Sequence, residues 1–210
     1  MVTPLLEMKV WGDYACWTRP DQKVERFSYL APTPSGMRGV LDAVFFKPEM
    51  EWIIREIQVL SEISTFTILR NEVKNVVPGR ASRPLFIEDD RTQRNTVGLR
   101  NVAYLVKAEA RVRPGVDALP VKYIEQARRR VKRGQCAFIP YLGCREFSAF
   151  FSEPDPDDRP IDVSMNLGRM LHSLEYAPDG SGHAKPRFFE ARMEHGIVRI
   201  PTLEELGHGA

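Results

Sequence analysis

Residues 102–141 read VAYLVKAEARVRPGVDALPVKYIEQARRRVKRGQCAFIPY, and this stretch decides the fold. Val102, Tyr104, Val106, Ala108, Ala110 and Val112 alternate with polar or small residues, the period of a strand with one buried face. Pro114-Gly115 ends it. Over residues 121–134 the period becomes helical. Val121, Ile124, Ala127 or Arg128, and Val131 fall on one side; Lys122, Gln126, Arg129, Arg130 and Arg133 fall on another. Gly134 suits the left-handed position that closes a helix. Residues 136–141 can then return as a strand.

Working back toward the N-terminus, Leu6, Met8 and Val10 alternate as an opening strand, which Gly12-Asp13 breaks. A long loop carries Tyr14, Trp17 and Arg19. Thr33 is a helix N-cap candidate with Pro34 in the first turn, and Met37, Val40, Leu41, Val44 and Phe45 follow at helical spacing until Pro48 stops the run. Residues 52–60 and 63–70 read as strands. Residues 71–95, with Pro78-Gly79, Arg83-Pro84 and Asp89-Asp90, form a long excursion of the kind that is functional or disordered. The order strand, helix, strands, helix, strand is an α+β pattern, the ferredoxin-like or RRM-like βαββαβ unit. We therefore expect an RRM-like domain over residues 1–147 with residues 71–95 as an inserted arm. Many proteins of this pattern bind RNA on the sheet or beside it. Beyond the proline-rich acidic segment 153–160, Met170, His172, Leu174 and Tyr176 alternate, as do Phe189, Ala191 and Met193. His195-Gly196 turns into a last strand. Residues 148–210 thus read as a small C-terminal antiparallel β-sheet.

Composition narrows the function. The 210 residues are 43% apolar and 28% charged, ordinary for a globular chain with a sizeable core. No apolar run reaches membrane-span length, and residues 1–11 have no basic head followed by an apolar stretch. The expectation is a cytoplasmic protein without a membrane partner. Cys16, Cys136 and Cys144 are unpatterned and read as reduced thiols. The net charge is only +2. Arginine, however, clusters at 80–94 and 111–113, and basic residues run through 122–133, while acids gather at 153–158. Such segregation leaves a basic face, or else merely solvated surfaces. There is no phosphate-binding glycine loop ending in GKS or GKT. The four histidines are not spaced as ligands with any cysteine. The acidic run reads more simply as a solvated linker than as a cation site. Neither a metal nor a cofactor is expected.

Several segments together carry a resemblance. They are Val10-Trp11-Gly12-Asp13-Tyr14-Ala15-Cys16 with Thr18-Arg19-Pro20, Thr33-Pro34-Ser35 leading to Arg38-Gly39-Val40-Leu41-Asp42-Ala43, and Arg70-Asn71-Glu72-Val73. Further on come Gln93-Arg94 with Leu99-Arg100-Asn101-Val102-Ala103-Tyr104, then Lys122, Arg129-Arg130, Gly134-Gln135-Cys136 and Pro140-Tyr141-Leu142-Gly143-Cys144-Arg145-Glu146-Phe147. In this order, over residues 10–147, the chain resembles CRISPR-associated protein family five in its type I-C variant. The C-terminal sheet is similar but less distinctive. The resemblance implies a RAMP-type fold with an RRM-like domain. It also implies a metal-independent endoribonuclease that cuts CRISPR repeat RNA (pre-crRNA) at the 3′ base of its hairpin, by attack of a ribose 2′-hydroxyl on the adjacent phosphate. The products would be a 2′,3′-cyclic phosphate and a 5′-hydroxyl. The protein would then stay on the 5′ handle of the crRNA within the interference complex (Cascade), beside its backbone and large subunits. Duplex DNA is a further candidate partner. A non-catalytic subunit that holds the handle, or a general RRM-like nucleic-acid module, are the competing readings.

Some members of that family use a tyrosine near the end of the first helix and an adjacent lysine and histidine at the start of the second. Here the tyrosine position falls on Phe45, the lysine matches Lys122, and the histidine position is Tyr123. Lys122 and Tyr123 are the expected cleavage residues, and Phe45 is expected in the core. A tyrosine, with a reference pKa of about 10, shuttles protons poorly near neutral pH unless neighbours such as Lys122 and Arg130 lower it. Arg129, Arg130 and Arg133 suit phosphates, one of them with an internal salt bridge as its alternative. Tyr14, Trp17 and Arg19 suit stacking on splayed bases, with a place in the core as the alternative for Trp17. Arg94 lies in the arm, expected to grip the handle or touch the backbone subunit. Arg145 is either an RNA contact or a partner for Glu146.

Overall fold

The computed structural model describes residues 4–22, 24–74, 86–176 and 181–207. Nine strands and three α-helices follow in the order β1 (Leu6–Ala15), β2 (Arg26–Phe27), α1 (Pro34–Val44), β3 (Met50–Val59), β4 (Ser64–Val73), β5 (Arg91–Val112), α2 (Pro120–Lys132), β6 (Phe150–Ser152), β7 (Met165–Tyr176), β8 (Ala184–Glu194), β9 (Ile197–Arg199) and α3 (Leu203–Gly207). The strands form one sheet in the order β6-β1-β5-β3-β9-β8-β7, with β2 and β4 both on β5. Its first four places have the 4-1-3-2 order of a split βαβ unit. None of the described helices is long and apolar enough to cross a membrane.

Alternation sets the core. Leu6, Met8 and Val10 of β1 lie opposite Ala108, Val106 and Tyr104 of β5, so one face of the sheet is continuously apolar. It packs against Met37, Val40, Leu41 and Val44 of α1 and Tyr123, Ile124, Ala127 and Val131 of α2. Each fully buried side chain of this size contributes about 1.5–3 kcal/mol. Thr33 caps α1 through the Gly36 amide at 3.1 Å. The helix ends at Val44, before Pro48, because tertiary donors take its last carbonyls: Ala137 N–H reaches Ala43 O at 2.7 Å and Arg130 reaches Val44 O at 2.7 Å. Gly134, at φ +63°, closes α2 as expected.

Three expectations change. Residues 136–141 are not a strand, because the 137–138 amides are pinned to the end of α1; only Tyr141 makes an isolated bridge, to Ser148. The fourth strand is the three-residue β6, paired to β1. At its two ends the excursion at 71–95 is a ribbon, with Asn71, Glu72 and Val73 opposite Gln93, Thr92 and Arg91; residues 75–85, with Arg80 and Arg83, lie outside the described residues. The acidic segment is no solvated linker. From β6 it crosses the face of the sheet opposite the helices, where Asp158 pairs with Lys9 and Ile161 N–H reaches Val59 O at 2.9 Å.

The C-terminal strands extend the same sheet through β9, which pairs with β3. α1 touches both β3 and β7, three places apart in the sheet order, so the sheet curls around that helix. The expected division at 147/148 falls just before β6, whose partner is β1.

Candidate functional site

α2 is amphipathic and its outer face is basic. Proline at its first turn sets the start without an amide to satisfy. Lys122, Arg129, Lys132 and Arg133 are exposed and make no ion pair among the described residues. Arg128 is spent on Glu125 at 2.7 Å and on the Leu5 carbonyl at 2.8 Å. Lys122 projects from the helix N-terminus, where unsatisfied amides add positive potential. Its Nζ lies 5.8 Å from the centre of the Tyr123 ring. The Tyr123 ring is buried, and its hydroxyl donates to Glu49 Oε1 at 3.3 Å.

That bond works against any lowering of Tyr123 by Lys122 and Arg130. Burial, then the charge of Glu49 and the hydrogen bond to it, push the phenol above its usual value. Tyr123 is therefore a protonated donor near neutral pH. Glu49 itself was not legible as a site residue: it lies 74 positions from Tyr123, and only the chain between α1 and β3 brings it there. Phe45 is core, edge-on to Trp52 at 6.4 Å, with its carbonyl accepting from Trp52 Nε1 at 2.9 Å.

The other expected residues divide by what already holds them. Arg129 and Arg133 are free to meet phosphates. Arg130 is half-buried, bonded to Val44 O, and lies 6.0 Å from the Phe45 ring, so its first task is docking α2 on α1. Arg145 is exposed and unpaired among the described residues, because Glu146 is taken by Arg26 and Arg70. Arg94 pairs with Glu72 at 3.2 Å. Arg19 pairs with Asp21 at 3.3 Å and lies 5.5 Å from the Tyr29 ring. Tyr14 is half exposed and packs edge-on against Phe66 at 4.8 Å. Trp17 is 2% exposed, bonded through Nε1 to Tyr104 Oη at 3.4 Å; the expectation that it stacks on a base is withdrawn, because it offers no open ring face. Among the described residues no three histidine, cysteine or carboxylate side chains stand together as metal ligands.

This arrangement places unneutralised cations along one helix and at its positive end. It leaves the opposite sheet face under an acidic strap. Comparison with known proteins gives the family. The family model described as CRISPR-associated protein (Cas_Cas5), in its Cas5d form, matches residues 5–201. A Thermus thermophilus protein named CRISPR pre-crRNA endoribonuclease Cas5d is 44% identical over 213 residues, covering 94% of this chain and 91% of the relative. One of the same name from Mannheimia succiniciproducens is 38% identical over 219 residues, covering 94% and 95%. A crystal structure of a CRISPR-associated protein superposes with a TM-score of 0.71 at 23% identity, covering 97% of this chain and 94% of that one. The chain belongs to the Cas5d branch of the CRISPR-associated Cas5 family.

Proposed function

We propose that this protein is a pre-crRNA endoribonuclease that cuts CRISPR repeat RNA at the base of its hairpin and keeps the 5′ handle. The observation that carries the reading is end-to-end similarity to two relatives named for that activity. The free cations of α2 supply a surface for the RNA backbone. In the proposed step the ribose 2′-oxygen loses its proton and bonds to phosphorus as the P–O5′ bond breaks, and the departing O5′ takes a proton from solvent, leaving a 2′,3′-cyclic phosphate and a 5′-hydroxyl. Lys122 and the start of α2 stabilise charge on the phosphorane oxygens. Tyr123 acts as a hydrogen-bond donor, and Glu49, bonded to it, is the candidate acceptor for the 2′-hydroxyl proton. No metal enters the step. In the interference complex the protein would hold the handle against the backbone and large subunits.

The second reading, a subunit that holds the handle without cutting, is favoured by Phe45 in the tyrosine position and by a Tyr123 hydroxyl already committed to Glu49. Labelled repeat RNA incubated with the protein in excess EDTA separates the two. A single cut at the hairpin base, with no cut in an unrelated hairpin at matched salt, supports the nuclease. Tight selective binding without cleavage overturns it in favour of the holding subunit.

A further inference from the structure

Cys16 follows β1, and Cys144 lies in the turn before β6, 128 positions away; the chain brings the two together. Cys16 N–H donates to Leu142 O at 3.0 Å, and Cys144 Sγ lies 3.9 Å from the Cys16 carbonyl oxygen. Gly143, at φ +84°, makes the approach possible: a Cβ there would overlap that carbonyl oxygen. Both thiols are free, and Cys144 Sγ and the Cys16 backbone share the same pocket of the turn. Cys16 is buried, whereas Cys144 is partly exposed.

We propose that Cys144 and Cys16 form an oxidant-reactive thiol pair, in which Cys144 attacks a hydroperoxide and Cys16 resolves the product to a disulfide. With hydrogen peroxide the Cys144 sulfur bonds to one peroxide oxygen and the O–O bond breaks. The departing hydroxide takes a proton to become water. The Cys16 sulfur then bonds to the Cys144 sulfur as the S–OH bond breaks, and that hydroxide leaves as a second water with the Cys16 proton. Two thiols and one peroxide give one disulfide and two waters.

The surroundings favour this order of events. Arg26 Nη1 of β2 lies 3.9 Å from Cys144 Sγ, Arg70 of β4 adds positive charge, and the Thr18 hydroxyl faces the pair. Glu146 and Glu72 offset part of that charge through their pairs with the same arginines. The neighbouring Cys16 thiol, with Arg26, Thr18 and Arg70, outweighs burial and lowers the Cys144 thiol below its usual range, which favours the reactive thiolate. Cys16 is pushed up, first by Cys144 and then by burial. Conversion of Cys144 to a neutral sulfenic acid removes the first cause, which frees Cys16 to resolve it.

The test uses the native full chain and hydrogen peroxide. Remaining thiols are blocked with a maleimide after unfolding, and the peptides are mapped by mass spectrometry. The expected result is a Cys16–Cys144 disulfide with the exposed Cys136 still blockable. Cys16→Ser halts the reaction at a Cys144 sulfenic acid that dimedone traps. If that variant does not fold, the parent decides alone: peroxide should give the Cys16–Cys144 peptide, and a reductant should return both thiols to maleimide. Oxidation confined to Cys136, or Cys16 and Cys144 both blockable after peroxide, overturns the proposal.

Discussion

Replacing Lys122 by alanine should slow the cutting step far more than it weakens binding. Lys122 is exposed and makes no ion pair among the described residues, so its loss should change folding stability by no more than about 0.5 kcal/mol. Against a phosphate oxygen at about 4 Å its charge is worth ~1 kcal/mol in bulk water and ~4 kcal/mol at the effective dielectric of a protein surface. A helix N-terminus covered by RNA lies between these limits, and a loss of about 2–3 kcal/mol corresponds to a ~30- to 150-fold slower cut. The assay is single-turnover cleavage of labelled repeat RNA with protein in saturating excess, so that affinity drops out. Lys122→Arg should retain most of the rate because it retains the charge. Arg129→Ala should do the reverse. It should flatten the dependence of log binding constant on log salt by about 0.7–0.9 while leaving the saturated rate unchanged. A Lys122→Ala protein that cuts within threefold of the parent at saturation refutes the placement of the site at the head of α2.

The hydroxyl of Tyr123 is expected to matter less than its ring. Because its folded pKa is raised, any stability from its bond to Glu49 is fully present below the unfolded value of about 10 and is lost as pH rises through the folded one. Tyr123→Phe should slow single-turnover cleavage by less than tenfold, whereas a working general base contributes ~100-fold or more. Gly143→Ala forces a side chain onto the Cys16 carbonyl at a left-handed φ, and denaturant melts should show a loss above about 2 kcal/mol. The strap carries a pH signature. Burial works against the Asp158 charge, but the hydrogen bonds from Lys9 and the Asp155 amide, with the charges of Lys9 and Arg159, outweigh it and hold the carboxyl below its usual range. A depressed folded pKa gives stability that is present above the unfolded value, near 3.9, and lost as pH falls through the folded one. Exchange of the Ile161 amide, corrected for its intrinsic rate, should accelerate below about pH 4, and Asp158→Asn should remove that dependence.

The fold was legible where periodicity had room to speak. α1, β3, β5 and α2 each carry four or more periodic apolar positions, and each includes the residues the pattern marked, whereas β1, with three, runs through the expected break at Gly12-Asp13 to Ala15 and takes Tyr14 out of the expected loop. The fourth strand was misplaced because β6 has three residues, too few for a period, while 136–141 carries an apolar run. That run is held instead by two hydrogen bonds to Ala43, nearly a hundred positions earlier, and no local pattern reports them. The site divides the same way. Lys122 and Tyr123 could be named as candidates because motif position is local information. Glu49 was missed, and Trp17 was assigned to RNA with the core as its alternative, because burial and partners are properties of the assembled chain. The arginines show this most plainly: whether Arg94 or Arg145 is free depends on where Glu72 and Glu146 end up.

A net charge of +2 is weak grounds for an RNA surface until it is resolved into pairs. Arg26, Arg55, Arg70, Arg94 and Arg111 are each matched by a carboxylate within their own part of the sheet. Lys107 reaches Glu56 at 3.2 Å on the same open face that the strap crosses. Where the strap crosses, Lys9 is taken by Asp158, and Asp155, Asp157 and Glu153 would repel a phosphate. Counterion release needs cations without protein partners, and α2 with its C-cap Arg133 carries four that make no ion pair among the described residues, along about three turns. The RRM-like sheet surface and the basic helix are thus opposed by the charge map. The proposed RNA path follows the helix, where the positive end of α2 and Lys122 coincide.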